Sequence, residues 1–240
     1  MTEQLYQNDS YLRTFEAEVT VVDQDNHGVV LNQTAFFPGG GGQPPDTGTL
    51  TVGDQTYILK RAKWISGKLV HLLEGDTPLP ETGSTVQGRL DWEHRYALMR
   101  THTAMHVLCG VIFRDYGATV TGGNMEPLKG RMDFEFETMH RELVDEINTA
   151  INQEVANARP VSWRVLPRDE AFQIPDLIRT KINLLPEGIK MVRVVEIEGL
   201  DVQADGGTHV KNTAEVGPIR VVDYKSKGKI NKRIYVELDA

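Results

Sequence analysis

The sequence predicts an α+β protein: a small N-terminal β-barrel, then an α/β domain whose mainly antiparallel sheet is flanked by helices. Three observations carry that expectation. From Thr14 to Leu90 apolar and polar residues alternate in short runs broken by turn residues, and no stretch is long enough for a crossover helix. After Trp92 the period lengthens to that of a helix and holds to about Tyr116. Beyond it, helical and alternating segments intermix, as helices covering a sheet require. The division predicted is a barrel domain over 1–90 and a second domain over 91–240.

Each element has a local reason. The barrel strands are expected at Glu16 to Val22, Gly28 to Leu31, Gly48 to Val52, Gln55 to Leu59, Leu69 to Leu72 and Ser84 to Leu90. Asp25-Asn26, Gly53-Asp54, Ser66-Gly67 and Pro78 to Gly83 supply the turns between them. Met132 to Glu137 alternates as a strand, and His140 to Asn157 carries an apolar stripe of Leu143, Ile147, Ala150, Ile151 and Val155. Pro160 stops that helix before a strand at Val161 to Leu166. Ala171 to Ile174 reads as a short helix ended by Pro175, and Met191 to Ile197, Ile219 to Tyr224 and Arg233 to Leu238 read as strands.

Composition narrows the function. A chain of 240 residues can bury one large or two modest cores. One cysteine excludes a disulfide framework, and the polar start from Met1 to Ser10 lacks the apolar stretch of a signal peptide, so a cytoplasmic protein is expected. No run approaches the roughly 20 apolar residues of a membrane span. The formal charge of −8 argues against holding nucleic acid by bulk electrostatics. Local basic groups remain as phosphate contacts: Arg95 and Arg100, Lys129 and Arg131, and Lys227 and Lys229 within a Lys-rich turn near the C-terminus.

The chemistry concentrates on histidine. His102 and His106 are four apart in a helical segment, so both imidazoles share one face. Asp205 and His209 repeat that spacing about a hundred residues later, around a Gly206-Gly207 pair expected to turn the backbone sharply. Together His102, His106, Asp205 and His209 supply the four nitrogen and oxygen ligands of a tetrahedral Zn2+ site. Thr103, Ala104 and Met105 stand where a zinc protease would carry its glutamate base, which sets that chemistry aside. Cys109 lies about 10 Å along the helix axis from His102, too far for a common tetrahedral site, and reads as a buried thiol. The four glycines Gly39 to Gly42 are followed by Gln43-Pro44-Pro45 and not by Gly-Lys-Ser/Thr, so they form no Walker loop.

Four blocks in order carry a family resemblance. They are Thr34-Ala-Phe-Phe-Pro-Gly-Gly-Gly-Gly-Gln43 with Asp46-Thr-Gly48; Arg95-Tyr-Ala-Leu-Met-Arg-Thr-His-Thr-Ala-Met-His106; Gly206-Gly-Thr-His-Val210; and Asn212-Thr-Ala-Glu-Val-Gly217 with Lys232-Arg-Ile-Tyr235. From about residue 15 to the end, the chain resembles the editing domain of alanyl-tRNA synthetases and the free-standing alanyl-tRNA editing proteins of AlaX type. The resemblance implies a barrel akin to that of translation factors, placed before an editing domain. It implies hydrolysis, in trans, of the ester joining chiefly serine, with glycine second, to the end of alanine tRNA. His102, His106 and His209 would serve catalysis, and Thr34, Gly40, Gly41, Gly42 and Gln43 would line the substrate pocket. Mischarged alanine tRNA is the implied partner, with no stable protein partner and a monomeric chain expected.

One residue departs from the family block Cys-Gly-Gly-Thr-His: Asp205 replaces the cysteine. A carboxylate is harder than a thiolate, so weaker or more exchangeable zinc is expected. Two other functions fit the same residues. A metal-dependent hydrolase of small esters or amides would turn over a free amino-acid ester. A noncatalytic tRNA-binding module would bind without deacylation.

Overall fold

The computed structural model describes residues 2–181, 185 and 188–240. The chain forms two compact units, Met1–Tyr96 and Ala97–Ala240, against an expected division between residues 90 and 91.

The first unit contains β1 (Glu3–Gln4), β2 (Thr14–Asp23), β3 (Gly28–Leu31), β4 (Gln33–Thr34), β5 (Gly48–Val52), β6 (Gln55–Ile65), β7 (Lys68–Leu73) and β8 (Thr85–Leu90). Six of these close a barrel in the order β2-β3-β7-β6-β5-β8, every pair antiparallel, while β1 and β4 pair in parallel. The alternation read from sequence is the barrel's inside and outside. In β2, Phe15, Ala17 and Val19 are buried and Glu16, Glu18 and Thr20 are exposed. Leu31, Leu50, Leu59, Leu69 and Val86 fill the same core, each worth about 1.5–3 kcal/mol when fully buried. Gly88 is required there, because a Cβ would lie 2.3 Å from the Phe15 ring.

β6 runs six residues past its expected end at Leu59. Lys60, Arg61 and Lys63 interrupt the apolar alternation, but pairing with β7 carries the strand to a tight turn at Ser66 and Gly67, φ 47° and 78°.

The remaining elements are α1 (Trp92–Tyr116), β9 (Val120–Glu126), β10 (Lys129–Glu135), α2 (Arg141–Ala156), β11 (Val161–Pro167), α3 (Arg168–Ala171), β12 (Met191–Ile197), β13 (Asp201–Ala204), β14 (Ile219–Ser226) and β15 (Asn231–Leu238). Asp91 caps α1, its Oδ1 accepting from the His94 N–H at 3.2 Å. Gly117, φ 64°, ends the helix, its N–H bonded to the Phe113 carbonyl at 2.9 Å.

Two antiparallel sheets follow, β14-β15-β10-β9 and β11-β12-β13. β9 and β13 were not expected. Gly122 and Gly123 are weak strand formers, and β9 owes its conformation to its ladder with β10. β13 has only four residues, too short for its polar–apolar alternation to stand out from the loop that follows. The short helix lies three residues earlier than expected, at Arg168–Ala171. Among the described residues, no helix is long and apolar enough to cross a membrane.

Candidate metal centre

α1 is buried on nearly all sides: Leu98, Met99 and every residue from Thr101 to Ile112 are buried. Two glycines let its neighbours come that close. A Cβ on Gly130 of β10 would lie 2.5 Å from Met105 Sδ, and one on Gly110 would lie 3.0 Å from the Leu200 carbonyl oxygen just before β13. The helical repeat then brings His102 and His106 together, ring centroids 5.1 Å apart, facing β13 and the loop that follows it.

Asp205 prolongs the β13 ladder, its N–H donating to the Arg193 carbonyl at 3.0 Å. Arg193 Nη1 in turn donates to the carbonyls of Asp205, 3.1 Å, and Gly207, 3.0 Å. The sharp turn expected from paired glycines has a different cause. Neither Gly206 nor Gly207 adopts positive φ; instead Asp205 Oδ1 accepts the Gly207 N–H at 2.6 Å in an Asx-type turn. The turn returns His209 to the cluster, 4.3 Å from the His102 ring and 4.8 Å from that of His106.

One potential ligand atom from each of His102, His106, Asp205 and His209 lies within 4.8 Å of all the others. Asp205 Oδ2 is 3.4 Å from His102 Nε2 and 3.9 Å from His106 Nε2, and its Oδ1 is 3.1 Å from His209 Nε2. Tetrahedral zinc with bonds of about 2.0–2.1 Å sets its ligand atoms about 3.3 Å apart. The donor set is one that zinc takes, and the three carboxylate–imidazole separations, 3.1, 3.4 and 3.9 Å, lie around that spacing.

With the cluster's own groups alone, charge is strongly partitioned. Burial opposes a charged His106, but hydrogen bonds to Asp201 and Asp205 outweigh it and raise the imidazole to about 9. Burial also opposes the Asp205 carboxylate, yet the neighbouring His102 and the bonds from all three histidines hold it well below its ordinary range. His209 is pushed well below by burial and then by His102. Three imidazoles around one carboxylate thus favour a further cation only through neutral rings.

Cys109 is buried, with Gln203 Nε2 3.4 Å from its Sγ, and stands outside the quartet. Burial and then Asp201 push its thiol well above the ordinary value, which makes it a poor nucleophile.

In the first unit, Gly39 to Gly42 all take positive φ, and Gly40 and Gln43 exchange backbone hydrogen bonds of 3.0 and 2.9 Å across Gly41 and Gly42. Gly40 and Gly41 are exposed; Gln43 and Thr34 are buried. His71 lies 3.2 Å from the Val29 carbonyl through Nδ1 and 2.9 Å from Thr34 Oγ1 through Nε2. Burial lowers His71 to about 4, so the ring is neutral; Nδ1 donates to Val29 and Nε2 accepts the Thr34 hydroxyl proton.

The expected phosphate contacts differ in exposure and in partners. Arg95 has no exposed surface: its guanidinium pairs with Asp46 and donates to the Ser10 and Ala35 carbonyls at 2.9 and 2.6 Å. Such a group holds the first unit together and offers nothing to a phosphate. Arg100 is half-buried and donates to the carbonyls of Val216 and Asp239. Lys129 and Arg131 share a face of β10, but Lys129 lies 3.5 Å from Glu237 and Arg131 3.8 Å from Asp133. Lys227 and Lys229 are exposed in the β14–β15 turn, at the opposite end of the sheet from Lys129.

Asp201, Gln203 and Thr103 went unread in the sequence. Asp201-Val-Gln203-Ala-Asp205 is a period-2 polar pattern running into the metal loop, and that alternation was the available signal.

Residues 192–235 match the family model of the threonyl and alanyl tRNA synthetase second additional domain, and residues 7–94 match that of class II (A) tRNA synthetases. The chain is 38% identical to the alanyl-tRNA editing protein AlaX-M of Saccharolobus solfataricus over 98% of both chains. It is 39% identical to that of Methanosarcina acetivorans over 99% of both. It is also 37% identical to the alanine–tRNA ligase of Ignicoccus hospitalis, covering 92% of this chain and 24% of the ligase.

Proposed function

The chain belongs to the family of alanyl-tRNA editing proteins, and from that membership we propose a trans-editing deacylase that removes serine, and glycine, from mischarged alanine tRNA at the His102–His106–Asp205–His209 cluster. The observation that carries the reading is the convergence of four potential ligand atoms from two distant segments within 4.8 Å. Zn2+ is the assigned metal, on the fit of three imidazole nitrogens and one carboxylate. When bound, zinc supplies Lewis-acid chemistry: carbonyl polarisation, activation of water, or anchoring of the aminoacyl group.

The chain's own residues define the rest. An ester to a ribose hydroxyl is labile, so positioning and oxyanion stabilisation suffice and no covalent nucleophile is needed. The unreactive Cys109 agrees with direct attack by water. The three histidines are buried and the Asp205 side chain is 15% exposed, which limits bulk solvent at the cluster and strengthens its local charges. Thr103 Oγ1 accepts the Val210 N–H at 3.2 Å and lies 3.3 Å from His209 Nδ1, which ties the metal loop to α1. The protein is assigned to the cytoplasm and to a monomeric state.

The reading is tested by deacylation of seryl-tRNA and alanyl-tRNA, both on alanine tRNA. Rapid loss of serine with alanine spared supports it; tRNA binding without hydrolysis, or turnover of free amino-acid esters alone, overturns it.

Serine exceeds alanine by a hydroxyl, so discrimination requires polar groups left unpaired by alanine. Thr34 and Gln43, with the Gly40, Gly41 and Gly42 turn, are assigned to that recognition. Thr34→Val should erode the preference for the seryl ester. It also strips His71 Nε2 of its hydrogen bond, at about 1–3 kcal/mol of stability, so rates are read below the variant's melting transition. Unchanged discrimination there removes Thr34 from recognition.

Asp205→Cys tests the substituted ligand. Restoring sulfur should tighten zinc, measured by chelator competition, and equal affinity would show that the carboxylate carries no penalty.

A further inference from the structure

Resting on the metal reading above, we propose that Asp201, seated by Arg179 and Gln203, is the positioning residue that fixes His106 with Nε2 turned to the metal, and so sets metal affinity. A neutral imidazole carries one N–H, and the nitrogen that bears it cannot ligate. Asp201 Oδ2 lies 2.9 Å from His106 Nδ1, and a carboxylate can only accept. The proton on Nδ1 is therefore the one retained, and when the ring becomes neutral it is Nε2 that gives up its proton and offers a lone pair, on the side where Asp205 Oδ2 lies 3.9 Å away.

Each oxygen of Asp201 has its own partner set. Oδ1 lies 3.3 Å from Arg179 Nε, while Oδ2 also accepts from Gln203 Nε2 at 2.7 Å. Gln203 Nε2 is 3.4 Å from His106 Nδ1, but two donors do not bond, so its effect on the ring runs through Asp201. The Asp201 side chain has no exposed surface. Arg179 stacks over Phe113, 3.8 Å to the ring centre, and among the described residues its Nη1 has no partner, which leaves Asp201 as the carboxylate that balances it. The carboxylate is thus held from one side and aimed from the other. At His209 the corresponding partner is the Thr103 hydroxyl, which can donate or accept and does not dictate a tautomer.

The competing account is that Asp201 only neutralises a buried arginine. Full-length wild type, Asp201→Asn and Arg179→Met separate the two. Zinc affinity is measured by chelator competition, and the His106 tautomer by 15N NMR on metal-free protein well above pH 9, where the ring is neutral. Asp201→Asn should weaken zinc about 10–100-fold and move His106 away from the pure Nδ1–H form, whereas Arg179→Met should keep the tautomer. If Asp201→Asn does not fold, the double variant with Arg179→Met removes both charges and carries the same readouts. Wild-type affinity and tautomer in Asp201→Asn would overturn the proposal alone. Wild-type protein that takes no zinc would instead overturn the metal reading beneath it.

Discussion

Replacing His102 with alanine is expected to lower seryl-tRNA deacylation by more than about 100-fold, because loss of a direct ligand exceeds the 10–100-fold cost typical of losing a residue that merely orients one. Fold stability should change little when metal-free proteins are compared. His102 is one of three imidazoles crowded around a single carboxylate, and its removal relieves the pressure it places on His209. Initial deacylation rates, zinc content and metal-free thermal unfolding measured together decide the matter. A variant that loses zinc yet hydrolyses at the wild-type rate would confine the metal to structure, and one that simply fails to fold would leave the cluster as a core element.

Arg95→Met should cost about 3–5 kcal/mol of unfolding free energy, the penalty for removing one partner of a buried ion pair. The substitution strands the Asp46 carboxylate in a region with no exposed surface, where the Phe37 N–H, 2.6 Å from Oδ2, still stabilises it. It also removes the donors to the Ser10 and Ala35 carbonyls. Urea denaturation measures the loss. Adding Asp46→Leu should recover part of it, since replacing both members of a buried pair by apolar groups is often near neutral. If Arg95→Met keeps its stability and instead weakens tRNA binding with a reduced salt slope, the phosphate role read from sequence is restored.

Arg95 shows where sequence reasoning reached its limit. An arginine about two turns before His102 on the same helix, and near another candidate phosphate contact, looks like a surface group. Its burial follows from Asp46, Ala35 and Ser10 meeting it from loops 49, 60 and 85 residues away. His71 was invisible for the same reason: an apolar strand context conceals that its ring reaches Thr34, 37 residues earlier. Gly206 and Gly207 misled in another way. Glycine permits positive φ without requiring it, and the aspartate side chain supplied the turn.

By itself the sequence determined the α+β class, the barrel strands, the long α1 helix and the four residues of the candidate metal centre, because these depend on short-range periods. A two-residue repeat fixes a strand's inward face, and a four-residue spacing fixes which side chains share a helix face. Only the tertiary structure decided that Arg95 is an internal brace, that Asp201 backs His106 from 95 residues away, and that β9 and β13 are strands at all. Those outcomes depend on which distant segments pack together in low dielectric, where a polar group must find a partner. Local spacing does not encode the identity of that partner.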